Sequence, residues 1–226
     1  MSFSQQALLA NAGQRRKMVE DHLVARGITD PRVLSAMSKV PRHLFVADSL
    51  GHRAYGDHPL PIGENQTISQ PYIVAAMSAA LELKGHERVL EIGTGCGFQS
   101  AILGELASQV FTIERLSVLS KKAKKLLDDL GYSNINFKVF DGSYGWRDQS
   151  PFDGILVTAG APEIPSALID QLTEGGKIVA PVGNLETQKL VVATLKGGKL
   201  SQKVIGDCKF VPLVGKFGLT GRPDPL

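Results

Sequence analysis

Apolar residues recur at helical intervals through Leu8, Leu9, Met18, Val19, Leu23, Val33, Leu34 and Met37. Breaks at Gly27 and Asp30-Pro31 divide them into two or three short helices. Between Pro41 and Pro71 the periodicity disappears. Gly, Pro, His and Asn crowd the stretch, as in Tyr55-Gly56-Asp57-His58-Pro59-Leu60-Pro61-Ile62-Gly63, and a patternless segment of that length is expected to be a loop that either has a function or is disordered. A helical pattern resumes through Val74, Met77, Ala80 and Leu81 and stops at Gly85.

Beyond Gly85, short β-branched runs alternate with helical stretches. Strands are expected over 88–92, 109–113, 135–140, 154–158, 177–180 and 189–195, with a last extended stretch near 204–214; helices are expected over 99–106, 116–130 and 166–172. This alternation predicts an α/β fold, a doubly wound, mostly parallel sheet with an N-terminal helical extension. Gly197-Gly198 predicts a closing hairpin and so an antiparallel edge. The whole, 1–226, reads as one domain: an extension and loop over 1–70 and an α/β core over 71–226.

Composition narrows the function classes. The 226 residues are 43% apolar and 21% charged, with a formal net charge of +3, which suits one sizeable core. The basic run Lys121-Lys122-Ala123-Lys124-Lys125 lies inside an expected amphipathic helix and reads as its solvated face. No basic stripe interleaved with aromatics suggests a nucleic-acid partner. Cys96 and Cys208 follow neither a disulfide nor a metal-ligand spacing. The N-terminus lacks a secretory pattern, and no apolar run reaches the ~20 residues of a membrane span. A cytoplasmic monomer, without nucleic acid, membrane or metal, is the expectation.

The chemistry concentrates at Val89-Leu90-Glu91-Ile92-Gly93-Thr94-Gly95-Cys96-Gly97, where a strand runs into alternate glycines and then a helix. Such a loop lets the backbone approach a nucleotide closely. The dinucleotide fingerprint needs a further glycine where Phe98 stands, and a carboxylate at Glu91 would repel a pyrophosphate. S-adenosylmethionine, a nucleoside joined to a cationic amino-acid group, suits Glu91, Gly93, Thr94, Gly95 and Gly97 better, and Glu91 is expected to be the first of three cofactor-binding acids. Glu114 closes the second expected strand about 20 residues on, a spacing suited to ribose hydroxyls. Asp141-Gly142 closes the third and could meet the adenine edge. Each acid taken alone could instead cap a helix or turn.

The acceptor is narrowed by what is missing. Ala159-Gly160-Ala161-Pro162 lacks the Asn or Asp followed by Pro-Pro and an aromatic that amide and amine methyltransferases carry, and no Pro-Cys pair offers a nucleophile. A carboxylate acceptor, already ionised at pH 7, needs no base.

Asn65-Gln66-Thr67-Ile68-Ser69-Gln70-Pro71-Tyr72 resembles the signature segment of the protein-L-isoaspartate (D-aspartate) O-methyltransferases, class I S-adenosylmethionine-dependent enzymes. The resemblance extends to Val40-Pro41-Arg42-His43-Leu44-Phe45-Val46, Pro59 through Gly63, Val89 through Leu103, Pro151 through Ala159, Leu172 through Gly176 and Phe210-Val211-Pro212-Leu213-Val214. It implies methyl transfer from S-adenosylmethionine, leaving S-adenosylhomocysteine, to the free carboxylate of isoaspartyl residues in damaged proteins and peptides, with D-aspartyl residues as a second candidate acceptor. The ester then closes to a succinimide. It further implies that Ser69 is the active-site residue, that Gln66 and Thr67 with Ile68 line the meeting point of cofactor and substrate, and that Val211, Pro212 and Leu213 hold the peptide. Ser69 also precedes Pro71, so a helix N-cap stands beside the functional reading. Asn65 and Phe140 depart from the family pattern, where glycine is common at both places. A same-fold enzyme acting on a small molecule, a catalytically silent binding protein and, less well, a nicotinamide oxidoreductase are the rivals.

Overall fold

The computed structural model describes residues 9–218; Leu8, counted above in the first helical pattern, lies outside them. The helices are α1 (Ala12–Met18), α2 (Pro31–Lys39), α3 (Pro71–Ala80), α4 (Phe98–Leu106), α5 (Ser117–Asp129) and α6 (Ser166–Ile169). The strands are β1 (Leu60–Gly63), β2 (Gln66–Ile68), β3 (Arg88–Ile92), β4 (Gln109–Glu114), β5 (Ile135–Val139), β6 (Phe152–Val157), β7 (Leu172–Gly183), β8 (Gln188–Lys196) and β9 (Lys199–Cys208).

Seven strands form one sheet in the order β5-β4-β3-β6-β7-β8-β9. Pairing is parallel from β5 to β7 and antiparallel between β7, β8 and β9. The central strands are apolar along most of their length because both faces are covered. Val89 joins a core with Met37, Val74 and Ile102 on one face, while Leu90 and Ile92 join Phe111, Ile155 and Leu168 on the other. That is the alternation a strand imposes. The order reverses around β3, which opens a crevice beyond the carboxyl ends of β3, β4 and β6.

The N-terminal helices pack on the first of these cores. Asp30 starts α2 by accepting the amides of Arg32 at 2.9 Å and Val33 at 3.3 Å, with Pro31 at the first helical position. Residues Val19–Leu23 continue α1 as a π-helical turn, and Gly27, at φ 86°, ends this run. On α5, Lys124 pairs with Asp128 and Lys125 with Asp129, each at 2.7 Å, so the basic run is a solvated face as expected.

Three expectations need correction. The segment from Pro41 to Pro71 is not a patternless loop: it contains 3-10 turns at Arg42–Phe45 and Asp48–Arg53 and a hairpin of β1 and β2, with Leu60 opposite Ile68. The hairpin turn is Glu64-Asn65, both left-handed at φ 52° and 54°. It lacks the Asn-Gly signal that would have announced it. The helix expected over 166–172 ends at Ile169, because Leu172 already pairs with Phe152 and begins the long β7. The final strand starts directly after Gly197-Gly198 and leaves the sheet at Cys208, so Phe210 to Val214 lie outside it and turn back toward β6.

Candidate active site

A cleft of about 940 Å³, open mouth included, lies at the crevice, beyond the carboxyl ends of the strands where open α/β sheets bind their ligands. Three stretches of chain meet there. The glycine loop supplies Gly93, Thr94 and Gly95; the hairpin supplies Gln66, Thr67, Ile68 and Ser69; the returning C-terminal segment supplies Val211, Pro212 and Leu213. Glu114, Gly142, Cys96, Phe98, Leu116, Thr158 and Ala159 are also in the wall.

Gly93 sits at φ 99°, and a Cβ there would lie 2.2 Å from the Thr158 hydroxyl. That hydroxyl reaches the carbonyls of Ile92 and Gly93, both at 2.8 Å, and so ties the end of β6 to the loop. The Gly93 amide donates to Ile113 O at 2.8 Å. Gly97 does something different. It precedes α4 at φ 89° facing α5, where an added Cβ would meet Leu127 at 3.0 Å and Ala123 at 3.2 Å. Its lack of a side chain serves helix packing, and it is not part of the cleft wall.

Of the three expected acids, Glu114 alone lines the cleft. Its Oε2 accepts the Gly95 amide and its Oε1 the Leu116 amide, each at 2.9 Å. Each carboxylate oxygen keeps a second lone pair, which suits two neighbouring hydroxyls of a ribose. Leu116 and Ile113 add apolar wall beside it, and these groups together fit a nucleoside.

Glu91 is placed differently from the sequence argument. It is fully buried beneath the loop, where Oε2 accepts the hydroxyls of Ser100 and of Thr112, the latter at 2.6 Å. Since Thr112 uses its proton on Glu91, Thr94 must donate to Thr112, at 2.6 Å. The chain Thr94, Thr112, Glu91 thus braces the loop from below. Burial pushes the Glu91 carboxyl up to about 8. It is therefore largely neutral at pH 7, and repulsion of a pyrophosphate by its charge no longer stands as an argument.

Asp141 is turned inward too. Oδ1 accepts the Ser143 amide at 2.9 Å and hydroxyl at 2.7 Å, and Oδ2 accepts the Lys216 amide at 2.9 Å. The turn-capping alternative describes Asp141, while its neighbour Gly142 reaches the cleft.

Ser69 is not the N-cap of α3. That position belongs to Gln70, and no side-chain capping bond forms there. Among the described residues the Ser69 hydroxyl has no hydrogen-bond partner, whereas its carbonyl accepts from Arg42 Nη2 at 2.7 Å. The opposite wall is fixed by Gly160, whose amide donates to Val211 O at 2.8 Å and whose carbonyl accepts from Leu213 N at 2.7 Å. Burial raises the Cys96 thiol to about 11, so it offers no thiolate at neutral pH. His43, half-buried, meets the Tyr55 hydroxyl at 2.8 Å, away from the cleft wall.

A family model described as protein-L-isoaspartate(D-aspartate) O-methyltransferase matches residues 13–218. The chain belongs to this family. Protein-L-isoaspartate O-methyltransferases of Syntrophus aciditrophicus and Geotalea uraniireducens are 54% and 56% identical to it over 211 and 209 residues, 92% of this chain in each case and 97% and 96% of theirs. A solved Plasmodium falciparum chain, assigned to the same activity and holding S-adenosyl-L-homocysteine, shares the fold at TM-score 0.78 and 26% identity, over 88% of this chain and 98% of that one. The chain is an S-adenosylmethionine-dependent methyltransferase of isoaspartyl residues.

The two hydroxyls beneath the loop, Ser100 and Thr112, and the Arg42 guanidinium behind Ser69 were not singled out from sequence. Thr112 offered one signal: a polar residue in the middle of an otherwise apolar buried strand needs a partner.

Proposed function

We propose that the chain repairs proteins by methylating the free carboxylate of isoaspartyl residues, with Ser69 orienting that carboxylate. The observation that carries this reading is the Ser69 hydroxyl, set in the cleft wall with its carbonyl held and its own hydrogen-bonding capacity uncommitted among the described residues. S-adenosylmethionine, when bound, supplies an activated methyl group. Glu114 and the loop from Gly93 to Gly95 hold its nucleoside, with Gln66 and Thr67 nearby. A hydroxyl at Ser69 donates to one acceptor oxygen and leaves the other free to face the methyl group. The acceptor is ionised at neutral pH, so no base is required, and Ile68, Val211, Pro212 and Leu213 wall in the peptide. Succinimide closure of the ester then needs no protein group.

On this reading the chain acts as a single-domain cytoplasmic monomer on peptides, not on nucleic acid or at a membrane. The small net charge speaks against a nucleic-acid partner, and among the described residues no helix is long and apolar enough to cross a membrane. The test uses methyl-labelled cofactor with paired peptides that differ only in Asp against isoAsp. Base-labile label on the isoAsp peptide alone is expected; label on both or neither refutes the reading.

A further inference from the structure

Arg42 is a fully buried cation, and the largest of the fully buried side chains among the described residues. Its Nε donates to Ala54 O at 2.8 Å, its Nη2 to Ser69 O at 2.7 Å, and its guanidinium lies over the Phe98 ring at 4.7 Å from the centroid. Nη1 is buried without a partner among the described residues. Burial brings the group down to about 10, which leaves it protonated at neutral pH. A buried charge is a poor source of stability, since an apolar side chain of similar volume often serves as well. Its use has to be sought in what the fork holds.

It holds the turn that carries Ser69. The next residue is gripped from another direction, because Gln70 Nε2 donates to Asp57 Oδ2 at 2.7 Å and to Asp57 O at 3.1 Å. Asp57 is in turn anchored by Arg26 at 2.7 Å. Ser69 and Gln70 are therefore both clamped by side chains from the preceding segment, and the Ser69 hydroxyl is left to the cleft.

We propose that Arg42 is a positioning residue for methyl transfer, fixing the Ser69 backbone so that its hydroxyl meets the acceptor carboxylate. The proposal rests on the role given to Ser69 above. Lysine cannot replace it, since a single ammonium lacks the planar fork that spans the Ala54 and Ser69 carbonyls.

The test is a double-mutant cycle with cofactor binding as control. Arg42→Lys is expected to lower kcat/KM for an isoaspartyl peptide by roughly 10- to 100-fold, the scale of an ångström-sized misplacement. Its dissociation constant for S-adenosylhomocysteine should stay within about two-fold of wild type, because Glu114 and the glycine loop are untouched. In a Ser69→Ala background the same Arg42→Lys change should cost less than about three-fold, as expected of two residues acting as one unit. In Arg42→Ala, added guanidinium should restore part of the lost rate where an equal concentration of sodium chloride does not. The proposal is overturned if cofactor affinity falls in step with rate, or if Arg42→Lys costs as much without the Ser69 hydroxyl as with it. Should Arg42→Ala fail to fold, the Arg42→Lys cycle still decides. Full activity in Ser69→Ala alone would instead remove the reading of Ser69, which separates the two failures.

Discussion

The Gly95 amide and the Glu114 carboxylate meet at 2.9 Å, joining the loop after β3 to the end of β4. One acid thus shapes the loop and faces the cleft. In Glu114→Gln an amide NH₂ must oppose either the Gly95 or the Leu116 amide, a donor set against a donor. Leaving such a group unpaired costs about 1–3 kcal/mol, so affinity for S-adenosylhomocysteine should fall by roughly one to two orders of magnitude in a calorimetric titration. Unchanged affinity would take Glu114 out of the cofactor site.

Ser69→Ala should separate chemistry from folding. Since the Ser69 side chain makes no bond within the described protein and does not cap α3, the melting temperature should hold. Loss of a true cap would cost ~1 kcal/mol. Methyl transfer to the isoaspartyl peptide should drop at least about ten-fold, the size of one lost hydrogen bond to a charged acceptor. Destabilisation together with normal turnover would revive the cap.

Glu91 makes stability depend on pH in an uncommon direction for a carboxyl group. Its folded value of about 8 lies above the ordinary 4.5 of a glutamate, so the native state holds a proton that the unfolded chain releases. The stability this adds is complete below about 4.5 and is lost as pH rises toward about 8. Wild type minus Glu91→Gln, measured by urea unfolding at several pH values, should therefore decline across that window. Parallel curves would show that Glu91 is charged in the fold.

Asn65 tests the hairpin turn. Its φ of 54° is a conformation that Asn and Gly tolerate and β-branched residues do not. Asn65→Val should destabilise the protein by about 1–2 kcal/mol, while Asn65→Gly should stay within ~0.5 kcal/mol, both read from denaturant midpoints. Similar losses in the two would mean that the Asn side chain, not the backbone, matters there.

Where burial on both faces dictated composition, the chain could be read almost to the residue. Arg88–Ile92 was expected as it stands and the strand beginning at Gln109 ends within one residue of expectation; the strand beginning at Ile135 does so too, although it lies at the sheet edge and is only partly buried. The hairpin was not legible: two strands of three or four residues give too little alternation, and Glu64-Asn65 is a weak turn signal. Among the acids, position at a strand end was right for all three, but not direction. Strand period says which face a side chain takes, yet it does not say that Ser100 and Thr112 would draw Glu91 inward or that the Lys216 amide would occupy Asp141. Arg42 was hidden for a related reason: nothing local marks a cation for complete burial, because its partners, Ala54 and Ser69, are fixed only by the tertiary fold.

The bond from Lys216 N to Asp141 spans 75 residues of sequence, and Val211 to Leu213 close on Gly160 from equally late in the chain. During synthesis, which proceeds from the N-terminus, the nine strands of the described residues exist before that wall does. A nascent chain halted near residue 209 would carry the completed sheet and the glycine loop but have one side of its cleft missing. On the reading proposed above, the side of the cleft given to the cofactor is thus complete before the side given to the peptide.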